Sequence, residues 1–333
     1  MEKVDFVLPW VDGSDPLWLA EKNKYSDYKV NSSASSAVSR YRDWDNLQYW
    51  FRGVEKYAPW VNNIFFITWG HLPGWLNLQH PKLRIVKHED FIPKKYLPTF
   101  NSNAIELNLH RIRDLSEHFV IFNDDTFIIN KTNLSDFFNN QKPVDQFIMN
   151  PIISSPNLPI IGHTGINNLR IINKNFYKKR VIKDHFGKIY SPNYGGKIFR
   201  NLILSFWPLF VGFYNPHLPL PHLKSTLELL WGKEYESFDM TCSNKFRQFT
   251  DINHWVLRYW NLCTGNFSPG KSGMGKVFII GQDDMKIFNY LENQNGKIIC
   301  INDTSYDIDF EEIKKEINQR FIGIFSEKST FEK

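Results

Sequence analysis

The sequence predicts an α/β protein built on a Rossmann-like, mainly parallel sheet flanked by helices. Three observations carry that expectation. Short apolar runs of strand type recur along the first half of the chain, amphipathic helical stretches separate them, and acidic residues follow where two of the runs end. Strands joined through helices run parallel because the connection must cross back over the sheet, and ligands of such sheets collect beyond the carboxyl ends of the strands.

The elements follow in order. Val4 to Val11 reads as a buried strand, stopped by Asp12-Gly13-Ser14-Asp15-Pro16, a turn sequence. Residues 31–38 (NSSASSAV) are small and polar and read as a mobile loop near the site. Between Asp43 and Tyr57 the spacing of Leu47, Trp50, Phe51 and Val54 predicts a helix, ended before Pro59. Asn63 to Thr68 and Leu83 to Lys87 read as strands. Asn103 and Glu106 have capping-box spacing ahead of the stripe Ile105, Leu109 and Ile112, which predicts a helix to about Leu115. The strand His118 to Phe122 comes next. Beyond it the pattern is mostly helical, with helices expected at Leu223 to Trp231, Asp251 to Leu262 and Phe310 to Gln319, and strands at Lys276 to Ile280 and Lys297 to Ile301. No repeat is visible.

Composition narrows the function classes. The 333 residues are 42% hydrophobic, enough for a sizeable core, and the net charge of +5 suits an acidic ligand without the clustered excess of a nucleic-acid binder. Three widely spaced cysteines suggest neither a disulfide framework nor a zinc knuckle. The N-terminal MEKVDFVLPWVDG lacks the basic and apolar segments of a secretory signal, and the most apolar stretch, Leu202 to Tyr214, falls short of the ~20 residues that span a bilayer and reads as buried or interfacial. A cytoplasmic protein is expected, with room for peripheral association at the inner face of the membrane. Aromatics reach 16%, a density that suits rings packed on sugar faces, although core packing accounts for most aromatic residues in most proteins.

Three motifs carry chemistry. Asn123-Asp124-Asp125 sets an amide and two carboxylates where a buried strand ends, suited to holding Mg²⁺ or Mn²⁺ against a diphosphate; an Asx-capped turn is the plain alternative. His217 lies in NPHLPLPH, where three prolines stiffen the chain and present a candidate general base, with His222 competing for the role. Arg247 is a candidate phosphate clamp. Gly265 to Ser272 matches the P-loop pattern, but a helical pattern precedes it and a strand pattern follows, the reverse of what a P-loop needs.

Four blocks taken in order resemble the Stealth family, which includes bacterial capsular polysaccharide phosphotransferases and the catalytic subunit of the lysosomal-targeting N-acetylglucosamine-1-phosphotransferase. They are Asp5 to Pro16; Arg40-Tyr-Arg-Asp43 through APWVNNIFFITWG and LPTFNSNAIELNLHRI to Asp125; His217 to Pro219 with Phe246-Arg247; and Cys300-Ile-Asn302-Asp303. The resemblance implies one catalytic unit over 1–333 with a glycosyltransferase-A-like fold, residues 1–150 taking the nucleotide-sugar and 151–333 the acceptor and catalysis. It implies a UDP-sugar donor, a polysaccharide acceptor and release of UMP. Metal ligands are expected at Asp124, Asp125, Asn302 and Asp303, and catalysis at Asp125, His217 and Arg247. Asp12, Gly13 and Asp15 stand on the first strand's loop, where a nucleotide docks in such sheets. Arg40, Asp43, Arg52 and Arg111 are carried over as donor-site or structural residues. Asn46 and Gln48 depart from the family pattern and take no role. An ordinary metal-dependent glycosyltransferase that releases UDP and a non-catalytic glycan-binding protein are the rival readings.

Overall fold

The computed structural model describes residues 3–25, 43–153, 159–271, 273–303 and 308–333. Its central sheet has five strands. β1 (Val4–Pro9) pairs in parallel with β2 (Ile64–Thr68) on one side and β4 (His118–Ile121) on the other, β2 pairs in parallel with β3 (Leu83–Lys87), and the strand Leu220–Leu223 closes the far edge antiparallel to β4. This is the expected Rossmann-like sheet with flanking helices.

Alternation along the strands explains why it is buried on both faces. Val7, Phe65, Ile67, Phe119 and Ile121 enter one apolar core, while Phe6, Leu8, Ile64, Phe66, Val120 and Phe122 enter the other. The helix α2 (Leu47–Tyr57) covers the second core with Trp50, Phe51 and Val54. It begins later than the sequence pattern suggests, because Asp43 accepts the Asp45 N–H and holds residues 43–46 in a turn.

A second sheet leaves the corner at the end of β4. There β5 (Thr126–Ile128) pairs antiparallel with the strand Ile298–Asn302, which pairs in parallel with the strand Gly275–Ile279. The C-terminal helix Phe310–Ile324 runs past Gln319 because Ile317, Phe321 and Ile324 continue its buried stripe.

One predicted helix is not continuous. The chain forms a short helix Ser102–Glu106 and then a single turn Leu109–Arg111 in place of a helix to Leu115. The cap is Asn101, whose side chain accepts the Asn103 N–H, and the Asn108 amide donates to the Ala104 carbonyl, competing with the backbone ladder. Asp251 accepts from the Asn101, Asn103 and Asn244 side chains and from the Gln248 N–H, so the helix predicted from Asp251 to Leu262 also starts late, at Trp255.

The P-loop-like segment has the wrong surroundings, as expected. It follows the helix Trp255–Cys263, Gly265 takes φ +68° just after that helix, and Ser268–Pro269 pairs with Val144–Asp145. Among the described residues no helix is long and apolar enough to cross a membrane. The loop 31–38 lies outside the described residues, as does Arg40.

Candidate active site

The acidic tip sits at the corner between the two sheets. The Phe122 N–H still donates to the Val7 carbonyl, then the Thr126 N–H closes a turn on the Asn123 carbonyl and the chain leaves as β5. Ile301 N–H donates to the Asp125 carbonyl at 2.8 Å, and Cys300 stands opposite Thr126, so the end of that strand carries Asn302 and Asp303 alongside the two acids. The Trp44 indole N–H donates to Asp303 Oδ2. Strand pairing thus unites two motifs far apart in sequence.

His217 arrives from the opposite side. Ile121 stands opposite Leu220 and Phe119 opposite His222, so the antiparallel strand returns the preceding Pro216-His217-Leu218 to the tip of β4. His217 Nε2 is 3.4 Å from Asn123 Nδ2 and 3.8 Å from Asp125 Oδ2. Asp125, His217 and Cys300 offer ligand atoms within 4.8 Å of one another. Burial alone would lower the His217 pKa, but the Asp125 carboxylate outweighs it and the net shift is upward.

The two acids need a positive charge. Asp124 as a residue is exposed, yet its carboxyl is crowded by protein; this desolvation, then the adjacent Asp125, raises it to about 7. Among the described residues no lysine or arginine pairs with either acid. The Cys300 thiol is buried and pushed far up, and its soft sulfur is a poor match for a hard divalent ion. The carboxylate and amide oxygens that remain suit a hard divalent ion such as Mg²⁺ or Mn²⁺, which leaves the imidazole free.

Beside the tip opens a pocket of about 100 Å³, whose polar lining includes Asn103, Glu106, Asn123, His217, Arg247 and His254. Arg247 donates to the Ser102 hydroxyl at the start of the helix that carries Glu106. Glu106 is almost fully buried, and that burial, opposed by Arg247 and His217, raises its carboxyl to about 7. Behind it, His254 Nε2 is 3.8 Å from Glu106 Oε2, and His254 Nδ1 is 3.0 Å from His222 Nε2. Burial holds both imidazoles neutral, His254 at about 3 and His222 well below its ordinary value.

The structure therefore brings Asn123, Asp124, Asp125, His217, Asn302 and Asp303 to one corner, with Arg247 lining the adjoining pocket. His222 is fully buried under Phe119, away from the opening. Asp12, Gly13 and Asp15 follow β1 beyond the same end of the sheet, but their side chains have local work: Asp12 accepts from Ser14, and Asp15 caps α1 (Pro16–Lys24) by accepting the Trp18 N–H. Asp43 is an exposed turn residue. Arg111 lies elsewhere, hydrogen-bonded to Asn108 and stacked on Trp231. Arg52 is a structural clamp, bidentate to Glu332 and donating to the Phe325 carbonyl. Sequence reasoning missed Glu106 and His254 as pocket residues; the available signal was a lone acid inside an otherwise apolar helical stripe.

Comparison with known proteins bears on this corner. Residues 2–30 match Stealth protein conserved region 1, and residues 40–146 match Stealth protein conserved region 2, which ends just beyond the acidic tip. The chain is 46% identical over 336 aligned positions to "Capsular polysaccharide phosphotransferase WcwK" of Streptococcus pneumoniae, covering 100% of this chain and 99% of the relative. It belongs to the Stealth family. "Receptor polysaccharide phosphotransferase WefC" of Streptococcus oralis is 36% identical with full coverage of both chains. As a Stealth protein the chain is a phosphotransferase enzyme. A solved galactosyltransferase covers 95% of this chain and 95% of its own at 10% identity with a TM-score of 0.39, too distant a likeness to argue from.

Proposed function

We propose that the enzyme moves a hexose or N-acetylhexosamine 1-phosphate from a UDP-sugar to a hydroxyl of a capsular or other surface polysaccharide. The acceptor oxygen forms a bond to the β-phosphorus, the bond from that phosphorus to the bridging oxygen breaks, and UMP departs with the bridging oxygen. The product is a phosphodiester. The full-length relatives, whose names describe polysaccharide phosphotransferases, support the acceptor class.

The observation that carries the reading is the convergence of an imidazole, an acid pair and an arginine-bearing pocket at one sheet corner. His217 Nε2 faces the opening and takes the hydroxyl proton. Asp124 and Asp125, with Asn302 and Asp303 beside them, would hold a Mg²⁺ or Mn²⁺ ion that neutralises charge on the diphosphate oxygens. Arg247, hydrogen-bonded to Ser102 and within electrostatic reach of Glu106, acts as the second positive group on the phosphate. The loop Asp12 to Asp15 fits the nucleoside end of the donor, and the part beyond residue 150 supplies the apolar pocket wall at Ile160 and Ile161 for the acceptor.

The bond that breaks is the test. The protein is incubated with a UDP-sugar, Mn²⁺ and acceptor, nucleotides are resolved by chromatography, and the product is read by phosphorus NMR. UMP with a phosphodiester signal is expected; UDP beside a phosphate-free glycan makes the enzyme a glycosyltransferase and overturns the proposal.

A further inference from the structure

The helix Ile198–Leu204 buries one side and exposes an apolar stripe on the other. Asn201 and Leu204 point inward, whereas Phe199, Leu202 and Ile203, at the i, i+3 and i+4 spacing of one helical face, and Phe206, in the turn that follows, are open to solvent, Phe206 at 88% and Phe199 at 67%. Trp207 and Leu209 extend the same exposed surface. A helix apolar on all sides is normally buried, and a contiguous exposed apolar patch marks an interaction surface. The stretch expected from sequence to be buried or interfacial is therefore buried only in part, at Leu204, Phe210 and Phe213.

This surface is held in shape. Lys178, almost fully buried, donates to the carbonyls of Leu204, Trp207 and Leu209. Asn173 fixes Phe210 through both its amide and its carbonyl, and buried Asn201 donates to the Phe147 and Ile189 carbonyls. The fold spends a buried cation to keep in place a loop whose large apolar side chains face outward.

Charge identifies the occupant. Residues 170–209 hold nine Lys and Arg against a single acid, Asp184, although the whole chain carries only +5. The helix Lys178–Asp184, tied to the stripe through Lys178, exposes Lys179, Arg180 and Lys183, of which Arg180 pairs with Asp184, and Arg200 is exposed on the stripe's own helix. Aromatic and aliphatic side chains with surrounding lysine and arginine are the combination that settles in a headgroup layer, apolar groups entering and cations meeting anionic phosphates.

We infer that the surface formed by Phe199, Ile203, Phe206 and Trp207 with Lys179 and Lys183 docks on an anionic phospholipid bilayer. Ile160 and Ile161 of the pocket wall lie on the helix Pro159–Asn175, whose Asn173 anchors Phe210 beside the stripe, so docking brings the catalytic unit to acceptors held at a membrane. The inference stands on exposure, anchoring and charge, and does not depend on which bond the enzyme breaks.

Flotation of the full chain with vesicles of phosphatidylglycerol and phosphatidylcholine tests it. Binding is expected to the mixed vesicles, to weaken with added salt, and to fall about tenfold or more in Phe206→Ser/Trp207→Ser and in Lys179→Glu/Lys183→Glu. Both double variants should keep the wild-type melting temperature and wild-type turnover on a soluble acceptor. No flotation, or equal flotation on pure phosphatidylcholine that neither variant changes, overturns the inference. So does a dimer in solution that Phe206→Ser splits, which would assign the stripe to a second copy, or loss of turnover on a soluble glycan, which would assign it to the acceptor.

Discussion

His217 Nε2 stands 3.4 Å from the Asn123 amide nitrogen and 3.8 Å from the Asp125 carboxylate, across 94 residues of sequence in the first case. Neither approach is a tight hydrogen bond, so the imidazole is held near the acids without being consumed by them. The pairing of Leu220–Leu223 with β4 fixes this gap, and a reacting hydroxyl or a cation fits chemistry that a closed ion pair would block.

Asp125→Asn should lower metal-dependent transfer by about 10²-fold or more while shifting the melting temperature little, because the side chain is partly exposed and outside both apolar cores. Cys300→Ser, by contrast, should keep the wild-type Mn²⁺ dependence, since soft sulfur is a poor ligand for hard Mn²⁺. Turnover measured against Mn²⁺ concentration in both variants decides. A Cys300→Ser enzyme that needs much more Mn²⁺ would put the sulfur in the metal site.

The two histidines of NPHLPLPH should separate cleanly. His217→Ala removes a half-exposed base and is expected to reduce turnover about 10²- to 10⁴-fold with stability nearly unchanged. His222→Ala removes a fully buried ring that contacts His254 and Phe119, and is expected to cost about 2 kcal/mol or more in denaturant unfolding. If the His217 variant keeps its rate and a folded His222 variant loses it, the base is misassigned.

What the sequence made legible follows from how local the signal is. β1, β2 and β4 are buried on both faces, so each reads as an unbroken apolar run, and the acids at the end of β4 announce the sheet's functional edge. The partner of β4 was not legible, because Leu220–Leu223 is short, contains Pro221 and pairs across about a hundred residues of chain. Nor was Glu106, whose position matched a capping residue until the Asn101, Asn103 and Asp251 network moved the cap. Arg52 and Arg111 illustrate the converse. An arginine's partner depends on tertiary contacts, and theirs are Glu332 and Trp231.

Arg52→Ala should destabilise by about 2–4 kcal/mol at neutral pH, because it strands a buried carboxylate and an unpaired carbonyl. Burial alone would raise the Glu332 pKa, yet Arg52 and the Ser329 N–H hold it below the ordinary value. A depressed carboxyl contributes stability above its unfolded value, and that contribution disappears as pH falls through the folded one. The gap between variant and wild type should therefore be widest near pH 7 and shrink below about pH 4. Unfolding midpoints that differ equally at pH 7 and pH 3.5 would contradict the ion-pair account.

Glu106→Gln should make the protein more stable and less active. Burial lifts the folded carboxyl from its ordinary value of 4.5 to about 7, so between those values the native state keeps a proton that the unfolded chain has released. Wild-type stability then falls as pH rises through that window, by an amount on the order of 3 kcal/mol, and stays low above it. Glutamine cannot ionise, so its advantage should be small near pH 5 and near its maximum at pH 8. The residue almost surrounded by pocket atoms is kept as an acid against this cost because it faces both Arg247 and His217, and a neutral amide cannot hold the guanidinium or bias the imidazole. Urea unfolding at pH 5 and pH 8, run beside turnover at saturating donor, reads both effects. A Gln variant less stable than wild type at pH 8, or one with undiminished turnover, would show that the buried carboxyl serves the fold and not the reaction.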